Sequence, residues 1–133
     1  MRIFLSVVFL LAILSPLQAA TSDPGRCMAY YGAAADAQSY DKEASFGKLH
    51  LERLSGNFND IDFAGRLAAL QQRYADAAAQ GTASGGRSIP VLRKSYFDIL
   101  SGVGRMSQGG IVMRFINSCD TDEGFAPALK IAP

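Results

Sequence analysis

The chain reads as an exported all-α protein, a small antiparallel bundle of four to five helices closed by one disulfide. Three observations predict this. The first 20 residues have the layout of a secretory signal peptide. Ala, Leu, Gln, Arg and Lys dominate between Cys27 and Gln80 and β-branched residues are sparse, which favours helix. Two cysteines, Cys27 and Cys119, stand near the two ends of the part that follows the leader.

The leader justifies itself element by element. Met1-Arg2 supplies positive charge, and Ile3 to Leu14 is apolar apart from Ser6. Ser15-Pro16 ends the run, because proline cannot continue a helix interior. Leu17-Gln18-Ala19-Ala20 then offers small residues, with cleavage expected after Ala19 or Ala20. The apolar run spans 12 residues, whereas a membrane-spanning helix needs about 20. An uncleaved anchor is the alternative reading. A lipid-modified cysteine would follow the run directly, but Cys27 comes after Pro24-Gly25-Arg26. A protein free of the membrane after cleavage is therefore expected, in the periplasm or secreted.

Cleavage leaves one domain's worth of chain, with a helical domain expected over residues 21–119 and an irregular tail over 120–133. Losing Arg2 leaves 12 basic against 12 acidic residues. Neutral charge gives no basic surface for nucleic acid or anionic lipid. In an oxidising compartment the even cysteine count argues for a bond between Cys27 and Cys119. It would close a loop across 92 residues, for which loop entropy gives an upper figure of about 4–5 kcal/mol. A redox pair would need C-x-x-C spacing, which is absent.

Asp23-Pro24 predicts the first helix start, with Asp as cap and Pro in the first turn. One face would carry Cys27, Tyr31, Ala34 and Gln38, flanked by Tyr30, Ala33 and Ala37. The small residues Gly32 to Ala35 would let another helix approach closely. A break is expected around Ser39 to Asp41, then a second stripe of Ala44, Gly47, Leu51 and Leu54, widened by Phe46 and Leu49 and stopped by Gly56.

Asn59 can cap a third helix, with Phe58 and Phe63 as a hydrophobic staple and Leu67, Leu70, Tyr74 and Ala77 on its face until Gly81. Gly81 to Ser88 reads as a flexible loop. Ser88 caps a fourth helix with Pro90 in its first turn and Leu92, Tyr96, Ile99 and Val103 facing the core. Gly109-Gly110 would separate a last segment, Ile111 to Cys119, whose helical reading aligns Ile111, Phe115 and Cys119 and whose strand reading uses Ile111 to Met113. Helix is preferred, since a lone strand would lack a partner. The expected core is Tyr31, Leu51, Leu54, Phe63, Leu67, Leu70, Leu92, Tyr96, Ile99 and Phe115.

No assembled catalytic or cofactor set stands out, and no cofactor or metal is implied. His50 is the sole histidine. Spacing places neither a nucleophile nor an orienting acid beside it. Haem held by His50 and Met28, Met106 or Met113 is an alternative; the covalent C-x-x-C-H attachment is absent. Asp120-Thr121-Asp122-Glu123-Gly124 begins like a calcium loop, but Phe125 stands where its glycine belongs and Ile131 where its Glu belongs. It reads instead as a solvated acidic patch. Gly81 to Ser88 lacks the Gly-Lys-Ser/Thr ending of a phosphate-binding loop. Glu43 and Glu52 are candidates for cell-wall glycoside chemistry, yet both lie beside charged neighbours.

Tyrosines remain. Tyr30-Tyr31, Tyr40, Tyr74 and Tyr96 cannot all face one core, and tyrosine is favoured where a protein meets a partner. Tyr30 and Tyr40 are the candidate partner-binding surface. Cys27-Met28-Ala29-Tyr30-Tyr31-Gly32 followed by Asp36 resembles the opening of the Tai-type family of periplasmic immunity proteins over about ten residues. Those proteins are small, exported, helical and disulfide-bonded. The further cysteines of that family, and the proline following one of them, have no counterpart here. The resemblance implies that an exported helical protein of this size can be purely a protein-binding module. Binding to another exported protein is thus the leading expectation, inhibitor-like or immunity-like in character. A ligand or haem carrier using the bundle interior is the alternative, followed by a cell-wall enzyme.

Overall fold

The computed structural model describes residues 23–39, 57–101, 107–126 and 129. These form an all-α bundle: α1 (Pro24–Ser39), α2 (Phe63–Arg73), α3 (Ala75–Gln80), α4 (Ile89–Leu100) and α5 (Ser107–Asp122). Short 3-10 turns occupy Phe58–Asp60 and Ser84–Gly86. Among the described residues the one β-type pairing is an isolated bridge between Thr82 and Ser88. The signal-like leader, Tyr40, the stripe from Ala44 to Leu54, His50, the Gly56 stop and Val103 lie outside the described residues.

α1 starts where Asp23-Pro24 predicts. The Asp23 carboxylate accepts from the Arg26 amide at 3.2 Å, satisfying one of the orphan donors of the first turn. The helix then departs from its expected single face. Cys27 to Ala34 are all buried, as is Ala37. A helix apolar all round occupies the middle of a bundle rather than its rim, and α1 packs against α2, α3, α4 and α5. Its small residues make this possible. A Cβ on Gly25 would stand 2.7 Å from the Thr82 carbonyl oxygen and 2.8 Å from Ala83 Cα. The loop after α3 therefore lies directly on the helix. Its supposed flexibility gives way to order: Ala83 is buried, and Ser84 donates to Asp23 through its hydroxyl at 2.6 Å and its amide at 3.2 Å.

α2 is capped by Asp62 rather than Asn59. The Asp62 side chain accepts from Gly65 N at 2.8 Å, because Phe58–Asp60 closes a 3-10 turn and Ile61 is extended before the helix begins. The Phe58–Phe63 contact does form, with ring centroids 5.3 Å apart. Gln38 anchors this entry by donating to the carbonyls of Phe58 and Ile61 at 2.8 and 2.7 Å. The expected single helix to Gly81 is broken at Tyr74, whose φ −120° and ψ 56° are non-helical. Gly81 terminates α3 with φ 68° and ψ 23°, the left-handed conformation that glycine takes without a Cβ penalty. α4 begins as expected, Ser88 Oγ accepting from Val91 N at 3.4 Å and Pro90 sitting in the first turn.

α5 is a helix, as preferred, and it runs through Gly109-Gly110 instead of starting after them. Glycine costs about 1 kcal/mol in a helix interior, so tertiary packing carries this turn, with Gly109 itself buried. The buried face of α5 is Val112, Met113, Ile116, Cys119 and Asp120. Ile111 and Phe115, placed on the core face by the sequence reading, are each 50 % exposed. Of the other expected core residues, Tyr31, Phe63, Leu70 and Leu92 are buried, while Leu67, Tyr96 and Ile99 pack against the core half-buried. Cys27 and Cys119 are joined by a disulfide, Cα atoms 5.8 Å apart, that ties α1 to α5.

Candidate functional site

The acidic run after Cys119 is a solvated patch only in part: Asp122 is exposed, but its two neighbours in charge turn inward. The α5 helix extends through it to Asp122, and Asp120 and Glu123 are buried. Buried carboxylates need partners, and α1 and α2 supply them. Asp120 Oδ1 accepts from the Tyr31 hydroxyl at 2.6 Å and from Arg66 Nε at 3.0 Å. Glu123 accepts from Arg73 Nη1 at 3.1 Å and from the Tyr74 hydroxyl at 2.7 Å. The break at Tyr74 thus coincides with a side chain bonded to the far end of the chain.

Phe125 completes this clasp. Its ring centroid lies 5.3 Å from the Arg66 guanidinium and 5.0 Å from that of Arg73, a double cation–π arrangement. Tyr31 meets the same ring edge-on at 6.3 Å. Beyond it, Asn117 Nδ2 donates to the Leu129 carbonyl at 3.0 Å and Leu129 is buried. The expected irregular tail is therefore tied down where it is described. Burial, and then the hydrogen bond to Asp120, push the Tyr31 hydroxyl well above the usual tyrosine range. It stays protonated and acts as a donor. The carboxylates of Asp120 and Glu123 are both bonded to groups of the protein itself, which makes the clasp a positioning device for α5.

What the clasp and the disulfide position is an aromatic edge. Tyr30 is not an exposed anchor: it is 5 % exposed. Its ring stacks on Tyr96 of α4 at 4.2 Å between centroids and 17° between planes, and on Phe115 of α5 at 5.6 Å and 10°. Burial leads in raising its hydroxyl above the ordinary range, followed by the Tyr96 hydroxyl beside it. Phe115 is the most exposed ring of this stack, half open to solvent beside the half-buried Tyr96, with Ile111 one helical turn away. Alongside, a groove of about 130 Å³ runs between α1 and α5, floored by the Cys27–Cys119 disulfide and edged by Asp23, Arg26, Ser118 and Asp122.

Asp23 marks one end of that groove. Burial would raise its pKa, but the hydrogen bonds from the Ser84 hydroxyl and amide and the Arg26 amide, with the Arg26 charge, hold it below the ordinary carboxylate value. Arg26 Nε lies 3.5 Å from Asp23 Oδ2. The groove therefore has an aromatic wall, a rigid floor and a charged rim. Both of its cysteines are oxidised, so neither offers a thiolate.

The candidate residues of the sequence reading divide accordingly. Cys27 and Cys119 come together. Tyr30 belongs to the site as its inner support, and Tyr40 lies outside the described residues, as do His50, Glu43, Glu52, Met106, Ala19 and Ala20. Met28 and Met113 are core residues. Phe115 and Ile111 are surface residues, on the stripe that the sequence pattern turns inward. The signal for them was present: Val112, Met113, Ile116, Cys119, Asp120 and Glu123 also recur at helical spacing. That stripe becomes the buried one as soon as its two acids are allowed arginine partners.

Compared with known protein families, with curated proteins and with solved structures, the chain shows no match. The ten-residue likeness to periplasmic immunity proteins is accordingly not extended to membership of that family. Among the described residues no helix is long and apolar enough to cross a membrane.

Proposed function

We propose that this is an exported, non-catalytic protein that acts by binding another exported protein through the Phe115–Ile111 edge of α5. One observation carries the reading: Phe115 is half exposed while stacked on the buried Tyr30 ring. A large apolar ring already held in one position loses little conformational freedom when a partner covers it, and aromatic anchors of this kind dominate binding energies. The staple and the clasp hold α5 against α1, so the edge is presented by a rigid scaffold. Export is supported by the signal-like leader and by a buried disulfide, which persists in oxidising compartments. Inhibition or immunity-type protection is the kind of role that such a small binding module fills.

The test uses the full chain in its own host. A photo-cross-linking residue is placed at position 115 and, as a control, at the exposed position 72 on α2. A single exported protein trapped from position 115 and not from position 72 is the expected result. Equal trapping from both positions, or none, would remove the proposed edge. N-terminal sequencing of the recovered protein checks export directly, with a new terminus expected after Ala19 or Ala20.

A further inference from the structure

Two clefts meet at one arginine on the side of α1 formed by α2, α3 and α4. The first, about 240 Å³, is walled by Met28, Leu67, Ala78 and Ile89, with Gln71 and Arg93 as its polar groups. The second, about 440 Å³, lies over Asp36 and shares Pro90 and Arg93 with the first.

The sequence explains how Arg93 comes to sit there. It lies one turn after Pro90 on α4, facing Gly32 of α1. A Cβ on Gly32 would stand 2.7 Å from Arg93 Cδ and Nε, so only glycine lets the arginine stem lie flat across the helix. One turn further along α1, Asp36 accepts from Arg93 Nε and Nη2, both at 2.7 Å. This paired geometry fixes the plane of the guanidinium. Nη1 makes no hydrogen bond to the protein among the described residues. The result is a cation fixed in orientation where the two clefts meet.

We infer that this cleft binds a small apolar monocarboxylate, its carboxylate on the Nη1 edge of Arg93 and its hydrocarbon against Met28, Leu67 and Ala78. A positioned guanidinium edge next to apolar walls matches an anion attached to hydrocarbon, since charge-assisted hydrogen bonds are roughly twice as strong as neutral ones. Ligand sites have this composition, mostly apolar with a few oriented polar groups. The first cleft's volume selects a ligand below drug size. Asp36 acts as a positioning residue, holding Arg93 without meeting the ligand. The inference is independent of the α5 edge, which is built from other residues.

The experiment is a titration of the oxidised, leader-free protein with hexanoate, followed by amide chemical shifts, beside the same titration with the neutral isostere hexanamide. Saturable shifts centred on Ile89, Arg93 and Ala78, with hexanamide weaker by about tenfold or more, are the expected result. Two variants complete it. Arg93→Lys keeps the charge and loses the fork, and binding should fall by a similar factor. Ala78→Leu fills the cleft while leaving the Arg93–Asp36 pair intact, and should abolish the shifts without unfolding the protein. Equal affinity for hexanamide, shifts that never saturate, or unchanged binding in Ala78→Leu would each overturn the inference.

Discussion

The Tyr31 hydroxyl of α1 donates a 2.6 Å hydrogen bond to the buried carboxylate of Asp120 on α5, the same two helices that the Cys27–Cys119 disulfide joins. The two residues are 89 positions apart in the chain. Asp120 also receives Arg66, so its buried charge is compensated from α1 and α2 together. Tyr31→Phe removes one donor and should cost about 1–3 kcal/mol of unfolding free energy. Asp120→Asn strips the Arg66 guanidinium of its counter-charge and should cost more, about 3–5 kcal/mol. Urea denaturation of the oxidised protein measures both. A loss under about 0.5 kcal/mol in each variant would mean that the clasp is not needed to hold α5.

Phe115 and Tyr30 occupy one stack and should behave oppositely on truncation. Phe115→Ala removes a half-exposed ring, so the melting temperature should change little while partner cross-linking or affinity falls, by about 2 kcal/mol or more for a true anchor. Tyr30→Ala opens a cavity between α1, α4 and α5 and should cost about 3–5 kcal/mol of stability. If Phe115→Ala unfolds the protein as readily as Tyr30→Ala, the outer ring is core and the proposed edge fails.

Gly25 and Gly81 are both sensitive to alanine, for different reasons. At Gly25 the new methyl meets backbone atoms of Thr82 and Ala83. Neither can swing away, so the loop must lift at a cost of about 1–3 kcal/mol. At Gly81 nothing lies within 4 Å, but φ is 68°. The cost there is conformational, about 1–2 kcal/mol. Amide exchange separates them: Gly25→Ala should deprotect Ala83 and Ile89 selectively, whereas Gly81→Ala should lower protection across α3. Unaltered Ala83 protection in Gly25→Ala would show that the loop does not rest on α1.

Asp23 links the loop to acid stability. Its folded-state pKa lies below the ordinary value of 3.8, so its contribution is present in full above that value. It is lost as the pH falls through the depressed folded-state value. The stability gap between the wild type and Asp23→Asn should therefore be constant around neutrality and shrink as the pH drops below 3.8. Ser84→Ala removes a donor to the carboxylate, so it should raise the folded-state pKa towards the ordinary value, shrink the gap at neutrality and complete its loss at a higher pH. A gap that widens with acidity would reverse the assignment. Measuring denaturation midpoints from pH 2 to pH 7 decides the matter.

Local chemistry was legible in the sequence wherever one residue type has one strong use. Asp23-Pro24 and Ser88 with Pro90 start helices because their side chains and fixed φ satisfy the first turn. Gly81 ends one because only glycine enters the left-handed region freely. The cysteine pair followed from count and placement. Asn59 failed as a cap because Asp62, three residues on, offers the same chemistry, and the 3-10 turn before it decides between them.

The choice of face on α5 could not be read in the same way. Periodicity marks both Ile111, Phe115, Cys119 and Val112, Met113, Ile116, Asp120 as helical stripes, and hydrophobicity alone favours the one without an acid. The sequence by itself determined an all-α chain, the helix starts at Asp23-Pro24 and Ser88-Pro90, the stop at Gly81, and the cysteine pair that staples the first helix to the last. The tertiary structure decided that α1 is buried on every side, that Asp120 and Glu123 turn inward, and that Phe115 turns out. The physical reason is that a buried charge is tolerable only beside its partner. Arg66 and Arg73 reach Asp120 and Glu123 only once α2 packs across α1, across separations of 54 and 50 residues that no local pattern encodes.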